Sequence, residues 1–176
     1  MAIKDNISLD EVEQVIDLGE LLGRAPSSTE AREFSEIAIN KVIERTQSGK
    51  DRNGKDFTAY SEEYADTKGV SPNDVDLTLM GDMLLSIDAE VQGNNVRMFI
   101  GGADVETKKA FNHHTGDTLP ARPFFGLSEK EARDIAEAVR TNEPSIVEQV
   151  AIPSIFQQET EIDIDEVLRN IGLFVD

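Results

Sequence analysis

Two adjacent histidines, His113 and His114, are the only imidazoles in this 176-residue chain. Imidazoles serve as general bases and as metal ligands. Neighbouring side chains on a helix diverge, so the pair is a poor joint site for one ion. Asp117 would add one further ligand, where a structural metal site takes four. The plainer reading is a polar helix end, where a histidine suits the dipole. The stretch "DRNGKDFTAYSE", residues 51–62, puts Asp51, Asn53 and Glu62 at the first, third and twelfth positions of a calcium loop. Lys55 then takes the fifth position, which needs an acceptor, and Asp56 the sixth, which needs glycine. Calcium is not expected. Cysteine is absent, which removes disulfides, thiolate catalysis and cysteine zinc sites. Carboxylate pairs such as Asp163 and Asp165 follow from composition in a chain with 35 acids. A hydrolase built on paired carboxylates finds no recognisable setting here. Nothing matches a nucleophile elbow, a phosphate-cradling glycine loop or a zinc-protease helix. The chain reads as a non-enzyme, with no catalytic residue, metal or cofactor.

Charge says more about partners. The net charge is −18, divided as −5 over residues 1–23, −6 over 24–140 and −7 over 141–176. Such a surface repels nucleic-acid phosphate, and no basic patch with interleaved aromatics offsets it. Solubility alone explains many acidic chains; the sharper reading is a surface that faces DNA without adhering to it. No apolar run approaches the ~20 residues of a membrane span. The opening "MAIKDNISLDEVEQ" is acidic and has no signal-peptide core, so synthesis in the cytoplasm is expected.

The elements that must position these residues form an α+β pattern rather than a βαβ alternation. "SLDEVEQVIDLGELLG" has Leu9, Val12, Val15, Ile16 and Leu22 at helical spacing behind Ser8, and predicts an amphipathic arm. "SSTEAREFSEIAINKVIERTQSG", 27–49, is the strongest helix, capped by Ser28 or Thr29 and stopped by Gly49. Residues 50–74 are a long polar stretch in which Phe57, Tyr60 and Tyr64 recur at three- and four-residue steps. That spacing puts three aromatics on one face of a short helical turn, docked on their own domain or on a neighbour. "TLMGDMLLSI" predicts a helical turn that buries Leu79, Met83, Leu84 and Ile87. "SIDAEV" and "VRMFIG" alternate around "QGNN" and predict a β-hairpin, with Arg97 and Phe99 on the face opposite Val96, Met98 and Ile100. Residues 103–116 predict a helix ending at Gly116, and 128–142 a helix opened by a Ser128–Glu131 capping box. The expected organisation is an acidic arm over 1–26, an α+β core over 27–142 and an acidic extension over 143–176. The core holds a small antiparallel sheet, made of the central hairpin and an edge strand, packed by two main helices. A long loop is inserted in it, and the terminal arms are helical.

The edge strand is assigned to "LPARPFFGL", 119–127. Pro123 lacks a ladder donor and confines the segment to an edge. In an extended chain Phe124 and Phe125 face opposite ways. One is expected inside and the other outward against a neighbour, with Arg122 on the Phe124 side, near an acid of its own chain or the next.

Three blocks, in order, resemble the tail-completion or neck proteins of tailed bacteriophages, the virion-morphogenesis family. In the first, Arg45, Thr46, Gly49, Gly54, Phe57, Tyr60, Ser61, Tyr64 and Lys68 fit the pattern. In the second, Leu77, Thr78, Gly81, Met83, Leu84 and Ser86 fit. In the third, Gly116, Pro120, Ala121, Arg122, Pro123, Phe124 and Gly126 fit. The likeness spans about residues 28–140; Met80 replaces a polar residue, and 1–25 and 143–176 have no counterpart. The resemblance implies a structural virion protein at the head–tail junction, a neck, tail-completion or tail-terminator ring around the DNA channel. It implies a cyclic homo-oligomer, hexamer or dodecamer, stacked between connector or adaptor and tail-tube proteins. DNA only passes through it, and no membrane is involved. Phe57, Tyr60, Tyr64, Arg122, Phe124 and Phe125 are the expected interface residues. The alternative is a soluble acidic adaptor or a DNA-mimicking inhibitor, which needs acids arrayed on one rigid face.

Overall fold

The computed structural model describes residues 2–77, 82–102, 104–116 and 119–141. Four strands, β1 (Ile3–Ile7), β2 (Val12–Asp17), β3 (Ile87–Gln92) and β4 (Asn95–Ile100), form one antiparallel sheet in the order β1-β2-β4-β3. The helices are α1 (Leu18–Leu22), α2 (Ser28–Gln47), α3 (Glu62–Lys68), α4 (Asp82–Leu85), α5 (Asp104–Thr115) and α6 (Glu129–Thr141). The fold is α+β, a small antiparallel sheet packed against helices.

The expected N-terminal helical arm is instead a hairpin that supplies half the sheet, with β2 between β1 and β4. The reason is legible at Gln14. Val12, Gln14 and Ile16 alternate inward and are almost wholly buried, but a polar residue at the middle position hides the two-residue period. Gln14 tolerates burial because its amide is fully engaged. Its Oε1 accepts from the Leu127 N–H at 2.7 Å. Its Nε2 donates to the Leu127 carbonyl at 3.1 Å and to Asp5 at 2.8 Å. A buried amide without those partners would cost on the order of 1–3 kcal/mol.

The expected edge strand at 119–127 is not a strand. Side chains and a helix end, not a ladder, satisfy its backbone. Arg122 N–H donates to the His113 carbonyl, Arg45 takes the Phe124 and Gly126 carbonyls, and Gln14 takes both groups of Leu127. Gly126 has φ +82°, a left-handed turn. The segment is irregular and already bends at Phe125, so the two-residue alternation of a strand does not apply, and Phe124 and Phe125 both enter the core, at 0% and 1% exposure, as an edge-to-face pair with ring centroids 6.3 Å apart.

α2 forms where its stripe dictates, and Ala31, Phe34, Ala38 and Val42 are buried. Its N-cap is Ser27 rather than Ser28 or Thr29. Ser27 and Glu30 make a reciprocal capping box, and Arg24 clamps Glu30 at 2.5 Å. α6 opens on the predicted Ser128–Glu131 box and buries Ala132, Ile135, Ala136 and Val139. The β3–β4 hairpin has the predicted faces, with Val96 and Met98 wholly buried. The opposite face carries Arg97, which pairs with Glu11, Glu13 and Glu90 and lies over the Phe99 ring at 4.6 Å. Met83, Leu84 and Ile87 are buried as expected. Leu79, Met80, Asp117 and the extension over 143–176 lie outside the described residues.

Candidate functional site

The long segment 50–77 is ordered by its own backbone bonds. Lys50 to Asp56 is a tight turn around Asp51, whose carboxylate accepts from the N–H groups of Asn53 and Lys55 at 2.8 and 2.9 Å. Asp51 is thereby committed to the turn, which is what an Asx motif does. Phe57 N–H bonds back to Gly49, and Tyr60 N–H reaches Pro72. The three aromatics do not share a helical face. Phe57 and Tyr60 precede α3, whose N-cap is Ser61, and only Tyr64 lies on it.

Tyr60 is the centre of this segment. Its hydroxyl accepts from the Leu77 N–H at 3.1 Å and lies 3.4 Å from both Lys68 Nζ and Asp76. Lys68 also pairs with Asp76. Burial works against the charge on Lys68, but its bonds to Asp76 and Tyr60 outweigh that and hold its pKa above the ordinary value. The Arg122 guanidinium sits over the same ring at 5.2 Å and the Lys68 ammonium at 5.0 Å, so two cations lie against the Tyr60 ring. The Tyr64 ring packs against Tyr60 at 4.8 Å, tilted by 59°.

Arg122 was expected near an acid. It is 3% exposed and instead donates to the Thr58 and Ala59 carbonyls at 2.9 and 3.1 Å. Burial lowers its pKa, with Tyr60 and Tyr64 partly offsetting. Arg45 does the parallel job on the core side. It pairs with Glu131 at 2.7 Å while holding the Phe124 carbonyl at 2.5 Å and the Gly126 carbonyl at 2.9 Å. The 120–127 segment is thus a seam, fastened to α2 and α6 through Arg45 and to the 50–77 segment through Arg122.

The two histidines sit where α5 meets this seam. They lie in the last turn of α5, as a helix end predicts, but they are packed rather than solvated. Both are half-buried, and each Nδ1 is enclosed without a hydrogen-bond partner among the described residues. Burial pushes each pKa down to about 4. Arg122 adds to the effect at His113 and Arg52 at His114, where Asp5 opposes it. The imidazoles are neutral packing groups, with His114 edge-on to Phe124 at 6.2 Å.

Of the six expected interface residues, Phe57, Tyr60, Arg122, Phe124 and Phe125 are buried in their own subunit, and only Tyr64, at 36%, is exposed. Close packing within the domain excludes the five from a surface role. Several of the residues that carry the family resemblance converge instead on one cluster: Arg45 reaches the Phe124 and Gly126 carbonyls, Arg122 of the same segment covers Tyr60, and Tyr60 meets Lys68 and Leu77. Sequence reasoning gave Gln14 and Asp76 no role, since a glutamine inside and a single aspartate in an acidic chain carry no local signal.

No protein-family model, curated protein or solved structure matches the chain.

Proposed function

We propose that the protein is a structural component of the phage head–tail junction, a neck or tail-completion ring rather than an enzyme. The observation that supports this reading is the convergence of the resemblance. Residues of the first and third blocks, together with the Leu77 N–H of the second, meet at the Arg45–seam–Arg122–Tyr60 cluster, where Arg45, Tyr60 and Arg122 each make a fold-bearing bond. A chance likeness of short motifs gives no reason for those residues to touch. The charge supports it further, since an acidic channel wall lets DNA slide without binding. The alternative, a DNA-mimicking inhibitor, needs unpaired carboxylates in a rigid array. On the open face of the sheet three described carboxylates instead gather on Arg97.

The test is assembly. Light scattering and electron microscopy of the purified chain are expected to give a closed ring, and purified particles are expected to contain the protein. A strictly monomeric chain that never enters a particle would sink the proposal.

A further inference from the structure

We infer that the two edges of the sheet, unpaired among the described residues, join between copies, β1 of one subunit to β3 of the next, so that one sheet continues through the assembly. The inference deepens the ring reading and rests on it for closure only; the pairing itself is argued from the sheet.

Antiparallel ladders alternate, so every second residue of an edge strand turns its N–H and C=O away from the sheet. Gly101 donates to the Ser86 carbonyl. In step with that bond, Asp88, Glu90 and Gln92 face β4, while Ile87, Ala89 and Val91 face outward. At the other edge Asp17 donates to Ala2 and Ser8 to Glu11. Lys4 and Asn6 therefore face β2, while Ile3, Asp5 and Ile7 face outward. Each edge thus offers three consecutive outward sites. On β3 the Ala89 N–H is met at 2.8 Å only by the carboxylate of its own neighbour, Asp88.

The sheet runs antiparallel throughout, so a β1 placed beside the next copy's β3 continues that alternation. One register aligns both edges, with Asp5 opposite Ala89. On the helix-covered face, Ile3 then meets Val91 and Ile7 meets Ile87. Val91 is 48% exposed in the single chain, and Ile3 would cover it. On the bare face, exposed Lys4 meets exposed Glu90, and Asn6 meets Asp88. Opposite charges directly across a strand pair stabilise it, and like charges destabilise it. Pairing β3 with a second β3 would set Asp88 and Glu90 against acids and is disfavoured. The joint is therefore head-to-tail, the kind that closes into rings, and it uses strand addition at an open edge.

The full chain has no cysteine, so introduced thiols report cleanly. Asn6 and Asp88 would form a non-hydrogen-bonded pair, with Cα atoms about 4.5 Å apart, inside disulfide reach. Mild oxidation of the Asn6→Cys/Asp88→Cys double variant is expected to give a ladder of covalent multimers on a non-reducing gel. Each single variant is expected to stay monomeric there. Dimers from Asp88→Cys alone would show a twofold edge and overturn the inference. So would the absence of a ladder, whether or not light scattering finds multimers. A second variant, Ala89→Pro, removes an outward donor and leaves the β4 ladder intact. With an unchanged circular dichroism spectrum, it is expected to weaken association at least tenfold; undiminished assembly would overturn the pairing. Cross-linked multimers that are absent from purified particles would leave the edge pairing standing and remove the junction reading.

Discussion

The N-terminal hairpin and the 119–128 seam invert each other. Residues 3–17 carry acids and a buried glutamine and have the spacing of a helix, yet they form β1 and β2, the latter between two strands of the sheet. Residues 119–127 look extended and punctuated like an edge strand, yet they join no sheet. The difference lies in who satisfies the backbone. The hairpin satisfies itself through a ladder, while the seam depends on long side chains reaching in from Gln14 and Arg45 and on the end of α5. A ladder tolerates most substitutions, but a seam held by single residues does not.

The largest expected effect follows from that contrast. Arg45→Ala strips two buried carbonyls and leaves Glu131 without its cation, and should cost about 3–5 kcal/mol in a urea unfolding curve. An exposed substitution in β1, such as Lys4→Ala, should cost under ~0.5 kcal/mol. A similar loss for both would erase the distinction between ladder and seam.

Acid should open the seam before the hairpin. The folded imidazoles titrate near 4, against 6.5 when exposed. The unfolded chain therefore binds more protons below 6.5. Stability from this source is complete above that pH and falls as pH drops from 6.5 towards 4, by about 3 kcal/mol per histidine at the lower end. Thermal melts across this window check it, and His114→Phe, beside Phe124, should flatten the slope by roughly half. Unchanged pH dependence would mean that the imidazoles are hydrated in the fold.

Gln14 joins the two regions, so Gln14→Leu tests the link itself. The shape is kept, but Leu127 loses partners for both backbone groups, at about 2 kcal/mol. Hydrogen exchange at Leu127 should quicken while β2 amides stay protected. The smallest effects separate two neighbouring rings. Tyr60→Phe should cost about 1 kcal/mol through its lost bonds to Leu77 and Lys68. Tyr64→Ala should leave stability within ~0.5 kcal/mol. A measured defect in assembly for Tyr64→Ala alone would make it the surface member of the pair.

Much of the fold was legible. The β3–β4 hairpin showed through because its inward positions are all apolar, and α2 and α6 because their stripes and capping signals agree. β1 and β2 were not legible because Gln14 occupies a core position that only a partner 113 residues away makes tolerable. The candidate site was legible as a set of residues and not as a surface. Spacing placed Phe57, Tyr60 and Tyr64 together but says nothing of Arg122, whose guanidinium seals Tyr60 from above. Phe124 and Phe125 were misplaced because strand parity was applied to a segment that forms no strand and bends at Phe125.

The position of β2 also has a consequence for synthesis. Ile16 lies opposite Val96, 80 residues further along. At about 5–20 residues per second a ribosome needs roughly 4–16 s to supply that partner. During this interval the first hairpin has emerged with Ile3, Val12 and Ile16 uncovered. Until then the hairpin's polar reverse side, with Lys4, Asn6, Glu13 and Asp17, is the part of it suited to water.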